Sequence, residues 1–293
     1  MDSVKLRARA KINLGLDVIG KREDGYHEVR MIMQSLNLYD GVIIRKSDQP
    51  GIVITTNRSY LPTNEDNLMY KAARLMMEEY NITSGIEIEL EKFIPVAAGM
   101  AGGSSDAAAT MVGINRLFRL GASRDELMRL GVKIGADVPF CIMRGTVLAE
   151  GIGEKLTRLP AMPSCPIVIA KPGINVSTKF VYQNLKIDEN TIHPDIDGMI
   201  DAIKNKDVDG VCSRLGNVLE TVTVKEYPVI DTIKKEMLTQ GAVNSLMSGS
   251  GPTVFGIFKN RRQAHQCADL LKGSGLAKQV YVTDVFCAGR EFD

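Results

Sequence analysis

Residues 95–109, PVAAGMAGGSSDAAA, constrain the fold of this chain more than any other stretch. The preceding GIEIELEKFIP alternates apolar and polar residues as a strand does and stops at Pro95, while Ala107, Met111, Ile114 and Leu117 follow at helical spacing. A strand therefore hands over to a helix through a loop in which only Met100 and Asp106 carry side chains of any length. Such a loop leaves main-chain N–H groups bare at the positive end of a helix dipole, which is the physical requirement for cradling an anion such as phosphate. Glycines also serve tight turns and close helix packing, so the loop by itself leaves both readings open. Ser104, Ser105 and Asp106 tip the balance to phosphate: hydroxyls can bind phosphate or Mg²⁺, and Ser104 can also cap the helix.

The surrounding pattern is sheet-rich at first. VKLRARAKINLGLDVIG reads as a strand or bent hairpin ending at Gly20, KREDGYHEVR as a polar turn, and MIMQSLNLYDGVIIRKS and GIVITT as further strands. A helix is predicted from Asn67 to Tyr80, capped by Asn67, and another after Ser123, where Glu126 completes a capping-box pattern. Pro139 argues that ADVPF lies outside a helix. The Pro-rich LPAMPSCP (159–166) marks a boundary, giving domains 1–160 and 161–293. Beyond it come a strand (IVIAKPG), mostly helix over 177–240, two strands around SGSGP, a helix and a last strand, QVYVTDVF. Strands and helices segregated in this way point to an α+β sandwich rather than a repeating βαβ chain.

Gly15 to Lys21 spells G-x-x-x-x-G-K, but Arg22 stands where a P-loop needs Ser or Thr for Mg²⁺, so the match is set aside. Thirty-six basic against 35 acidic residues give a net charge of +1, which provides no general attraction to nucleic acid or to an anionic membrane. No apolar run approaches the ~18 residues that cross a bilayer, and five scattered cysteines without a C-x-x-C pair fit a reducing cytoplasm.

PVAAGMAGGSSDAAA resembles the phosphate-binding motif of the GHMP kinases, Pro-x-x-x-Gly-Leu-Gly-Ser-Ser, and RARAKINLGLDVIGKREDGYHE and LMSGSGPTVFGIF resemble their flanking segments in the same order. Met100 and Ala101 depart from the family's Leu-Gly. The resemblance implies a two-domain kinase with an ATP loop and helix in the first domain and a ferredoxin-like α/β sandwich in the second. It implies that ATP lies along Pro95, Val96, Ala97, Ala98, Gly99, Met100, Ala101, Gly102, Gly103, Ser104 and Ser105, with Asn67 and Leu68 beside the adenine and Mg²⁺ on Ser104 or Ser105. It also implies that Asp137 orients or deprotonates an acceptor hydroxyl with Lys11 paired to it, although the residues around Asp137 alone read as a turn.

AKINLGLDVIGKREDGYHE, the lengthened loop and GADVPF resemble the branch of that family whose small-molecule acceptor carries a cytidine diphosphate group. His27 is then expected on the cytosine edge, Tyr26 and Tyr182 on its faces with Phe180 as the alternative to Tyr182, and Asn13 at the sugar-alcohol end. Gly249 and Gly251 are expected to close over the phosphate loop. The expected protein is a cytoplasmic monomer or homodimer with neither nucleic-acid nor membrane partners. A family member with another acceptor, and a nucleotide-binding module without catalysis, remain the alternatives.

Overall fold

The computed structural model describes residues 2–287. In its first part, β1 (Ser3–Lys21), β2 (His27–Ser47) and β3 (Ile52–Thr56) lead to α1 (Leu68–Glu79), β4 (Gly85–Glu91), α2 (Gly102–Phe118), α3 (Arg124–Gly131), α4 (Val138–Met143), β5 (Thr146–Gly151) and β6 (Lys155–Arg158). The second part holds β7 (Pro166–Lys171), α5 (Thr178–Asn184), α6 (Ile196–Lys204), α7 (Val208–Ser213), β8 (Gly216–Asn217), α8 (Glu220–Glu226), α9 (Val229–Thr239), β9 (Asn244–Met247), β10 (Val254–Ile257), α10 (Arg261–Gly273) and β11 (Gln279–Asp284).

The larger sheet runs β3-β4-β2-β1-β8, with β5 on β2 and β6 on β5. The long strand β2 pairs with β1 on one edge and on the other with two strands, β5 along residues 29–34 and β4 along 41–47. The smaller sheet runs β11-β7-β10-β9, all antiparallel, with helices in the β7–β9 and β10–β11 connections. That is the ferredoxin-like order expected for the second half.

β1 is one strand, not a hairpin, and its irregularities matter. Pairing with β2 shifts register between Arg9 and Lys11, again between Asn13 and Gly15, and again between Val18 and Gly20. Such irregularities change which face the following side chains take. Val4, Leu6, Ala8, Leu16 and Val18 accordingly enter the core shared with the helices α1 and α2, whereas Ala10, Ile12 and Leu14 enter a second core. In that second core they meet Ile167, Ile169, Phe255 and Ile257 of the smaller sheet, which joins the two halves through buried apolar surface. Lys11 and Asn13 are turned the opposite way.

Two helix readings needed correction. The N-cap of α2 is Ala101, in the left-handed region at φ 53° with no side-chain cap, so Ser104 lies inside the first turn instead of capping it. Pro139 does not exclude helix: it occupies the second position of α4, where its missing N–H has no intrahelical partner to lose. Asn67 does cap α1, accepting from Met69 N at 2.9 Å. Ser123 accepts from Glu126 N at 3.2 Å, but the Glu126 carboxylate accepts from Tyr80 Oη at 2.8 Å, so it completes a contact between helices instead.

The helix α2 lies close on the larger sheet because Gly113 has no side chain. A Cβ there would come within 2.6 Å of Leu6 Cδ1 and would also meet Ile44 Cδ1. Gly113→Val is expected to lower stability by about 1–3 kcal/mol through overpacking, read as a fall in the urea midpoint at unchanged slope.

Candidate active site

One cavity of about 1090 Å³ collects residues from β1, α1, the loop before α2, α5 and the β9–β10 turn. Its volume exceeds what a single drug-sized ligand ordinarily fills, roughly 300–1,000 Å³, so two substrates can share it. Residues 95–104 line it, all except Met100, and so do Asn67, Leu68, Lys11, Asn13, Tyr26, His27, Asp137 and Tyr182.

The loop achieves its path by repeated left-handed backbone: Ala97 at φ 50°, Gly99 at 70° and Ala101 at 53°. Gly99 has no alternative residue. A Cβ on it would overlap the Ser248 carbonyl oxygen and lie 3.2 Å from Gly251 O, and Ser248 Oγ donates to Gly99 O at 3.0 Å. The β9–β10 turn thus closes on the loop as expected, with Gly249 at φ 58° and Gly251 at φ 88°.

Two expected loop contacts differ. Met100 is buried at 1% exposure in the second core, and its carbonyl accepts from Lys11 N at 3.2 Å, so its side chain points away from the cavity. Ser105 is also buried, and its hydroxyl donates to Arg9 O at 2.7 Å, which ties α2 to β1. Ser104 is the serine that reaches the cavity.

The expected pairing of Lys11 with Asp137 is not made either. Lys11 Nζ donates to Asn13 Oδ1 at 2.7 Å, because residues two apart on a strand share a face. Both still line the same cavity, and both act electrostatically on the buried Cys141 thiol. Burial pushes that thiol up, Asp137 adds to the rise and Lys11 opposes it. Asp137 is the N-cap of α4, yet its side chain makes no capping bond, which leaves the carboxylate to the cavity.

His27 and Tyr182 face each other with ring centroids 5.0 Å apart and planes tilted by 39°. Partial burial, with Lys21 nearby, holds the His27 pKa below its usual value, so the ring is neutral at pH 7 and presents one donor and one acceptor. Burial beside Asp137 pushes the Tyr182 hydroxyl up to about 12. Tyr26 lies exposed on the rim, and Phe180 does not line the cavity.

Sequence reasoning missed an ionic cluster under the loop. Lys92 Nζ lies 2.5 Å from Asp40 Oδ2 and 2.5 Å from Asp106 Oδ2, all three groups buried. Asp40 Oδ1 accepts from the N–H groups of Phe93 at 2.6 Å and Ile94 at 2.8 Å, pinning the chain as it enters the loop. Burial alone would lower the Lys92 pKa, but the two carboxylates outweigh it and raise it. Burial raises the Asp106 pKa from its usual value although Lys92 pulls the other way. The one signal in the sequence was a lysine at the strand end directly before the loop.

The loop, the two charged side chains and the ring pair share one cavity. Models of the GHMP kinases N terminal domain and the GHMP kinases C terminal match residues 67–145 and 199–274. The chain belongs to the GHMP kinases. This GHMP kinase is 61% identical to the 4-diphosphocytidyl-2-C-methyl-D-erythritol kinase of Lachnospira eligens, over 98% of this chain and 99% of that one. It is 55% identical to the enzyme of the same name from Lachnoclostridium phytofermentans over 98% of each chain. A crystal structure of 4-(cytidine 5'-diphospho)-2C-methyl-D-erythritol kinase superposes with a TM-score of 0.83 at 30% identity, covering 98% of this chain and all of that one. GHMP kinases use ATP as co-substrate. Among the described residues no helix is long and apolar enough to cross a membrane.

Lys92→Met removes the counter-charge of two buried carboxylates. Loss of about 3–5 kcal/mol of stability is expected, measured by denaturant unfolding, and a variant as stable as the parent would show that the cluster is dispensable.

Proposed function

We infer that this chain transfers the γ-phosphoryl group of ATP to the 2-hydroxyl of 4-diphosphocytidyl-2-C-methyl-D-erythritol, giving ADP and the 2-phosphate, a step of the non-mevalonate isoprenoid precursor pathway. The observation that carries this reading is the neutral His27 beside Tyr182 in the same cavity as the phosphate loop. An acceptor without a nucleobase has no use for that pair, and full-length identity to kinases of this name supports the same conclusion.

The triphosphate lies along residues 95–104, its oxygens meeting main-chain N–H groups where Gly99, Gly102 and Gly103 leave the backbone bare. Asn67 shapes the adenine side through its backbone position. Its Oδ1 caps α1 and its Nδ2 donates to Pro62 O at 2.7 Å. Leu68 supplies apolar cover there. Oxygen donors suit Mg²⁺, which takes few protein ligands and keeps water and phosphate as the rest. Ser104, whose hydroxyl borders the cavity, is the loop residue that would hold it. When bound, Mg²⁺ neutralises charge on the β- and γ-phosphates.

Asp137 holds the acceptor hydroxyl in line with the γ-phosphorus and takes its proton late, since a loose transition state demands little deprotonation early. Lys11, fixed by Asn13, sets its positive charge near the reacting oxygens and favours the alkoxide. His27 reads the cytosine edge, Tyr182 covers one face and Tyr26 closes the other from the rim. We place the division between the domains at residue 160, in the connection between the two sheets. The final residues of the second domain, 288–293, lie outside the described residues.

Acceptor-dependent ADP release tests the reading: with Mg-ATP, the cytidine compound should give product while mevalonate and homoserine do not, and the reverse preference would overturn it. Asp137→Ala should reduce turnover about a hundredfold or more with ATP affinity retained. Protonating His27 removes its acceptor. Affinity for the cytidine substrate is therefore constant at neutral pH and falls as pH drops through the lowered His27 pKa, and titration calorimetry on His27→Ala should show that dependence gone.

A further inference from the structure

Four lysines line the cavity, and their partners divide them. Lys92 is held between two carboxylates at 2.5 Å and Lys11 is bonded to Asn13. Lys21 and Lys179 make no ion pair or side-chain hydrogen bond among the described residues.

These two lie beside the ring pair, one on each of its elements. Lys21 is the direct cross-strand partner of His27 in the β1–β2 pairing, so their side chains share a face. Lys179 precedes Tyr182 by three residues in α5, so it sits on the same side of that helix. A base read at its edge by His27 and covered on one face by Tyr182 thus has a lysine beside it from each wall. Neither lysine is needed for the fold, since both are exposed and hold no partner. The cradle for the ATP phosphates is a different part of the cavity, made by backbone at the start of α2.

We propose that Lys21 and Lys179 form a clamp for the diphosphate attached to the nucleoside, making this end of the cavity selective for a nucleoside diphosphate group over a bare nucleoside. The proposal rests on the base pocket assigned above. A diphosphate placed there gains two ammonium donors without having to break existing ion pairs, which is the condition under which a rim charge contributes to affinity. The clamp also steers an anionic acceptor to its own site while the loop takes ATP.

Titration calorimetry in the presence of a non-hydrolysable ATP analogue separates the possibilities, with CDP, cytidine and inorganic pyrophosphate as probes. Wild-type protein should bind CDP more tightly than cytidine, with a preference that weakens as salt is raised. The Lys21→Ala/Lys179→Ala double variant should lose about tenfold in CDP affinity, the scale of two solvent-exposed charge contacts, and keep cytidine affinity within about twofold. Lys21→Arg/Lys179→Arg should restore most of the preference for CDP. An unchanged ratio of CDP to cytidine affinity in the alanine variant overturns the clamp and leaves the base pocket standing. Binding of pyrophosphate as tight as that of CDP also overturns it, because the site then recognises a free anion. If wild-type protein binds the ATP analogue but neither CDP nor cytidine, the base pocket fails and the clamp with it.

Discussion

Ser248 donates its hydroxyl to the Gly99 carbonyl at 3.0 Å, and its own carbonyl oxygen occupies the space a side chain on Gly99 would need. This contact joins the phosphate loop of one half to the β9–β10 turn of the other. Asn217 braces the turn from behind, donating to Met247 O at 2.9 Å and Gly249 O at 2.8 Å, while Gly216 and Asn217 pair with β1. The loop is therefore held from both halves. A loop that must present bare N–H groups cannot stabilise itself through its own side chains, and the surrounding structure supplies what it lacks.

Beneath the loop, the buried charges of Asp40, Lys92 and Asp106 serve the same end. One ammonium between two carboxylates is a poor source of net stability, because desolvation offsets much of the attraction. Its value is positional. Asp40 fixes the chain entering the loop through two N–H bonds, Asp106 rides on the first turns of α2, and Lys92 joins them. Entry and exit of the phosphate loop are thereby held at one separation.

The strand-loop-helix order, the cap at Asn67, the turn at SGSGP and the residues of the loop were legible in the sequence, because each depends on neighbours within a few positions. Legibility failed where a choice depended on distant partners. Ser104 and Ser105 look alike in the sequence, and only the approach of the Arg9 carbonyl commits Ser105 to structure. Tyr182 and Phe180 are equally aromatic, and the position of α5 against β2 decides that Tyr182 meets His27. Lys92 and Asp40 are 52 residues apart, and no local pattern pairs them.

The sequence by itself determined the local chemistry: a main chain stripped of side chains at a helix start, hydroxyls beside it, and a family resemblance whose motifs follow in order. The tertiary structure decided which way those residues face. Register shifts on either side of residues 11–13 turn Lys11 and Asn13 to the cavity and send Ala10, Ile12 and Leu14 into the core between the sheets. Strand periodicity alone cannot place such shifts, because an extra residue is accommodated by the pairing with β2 and by the apolar surface waiting on the far side.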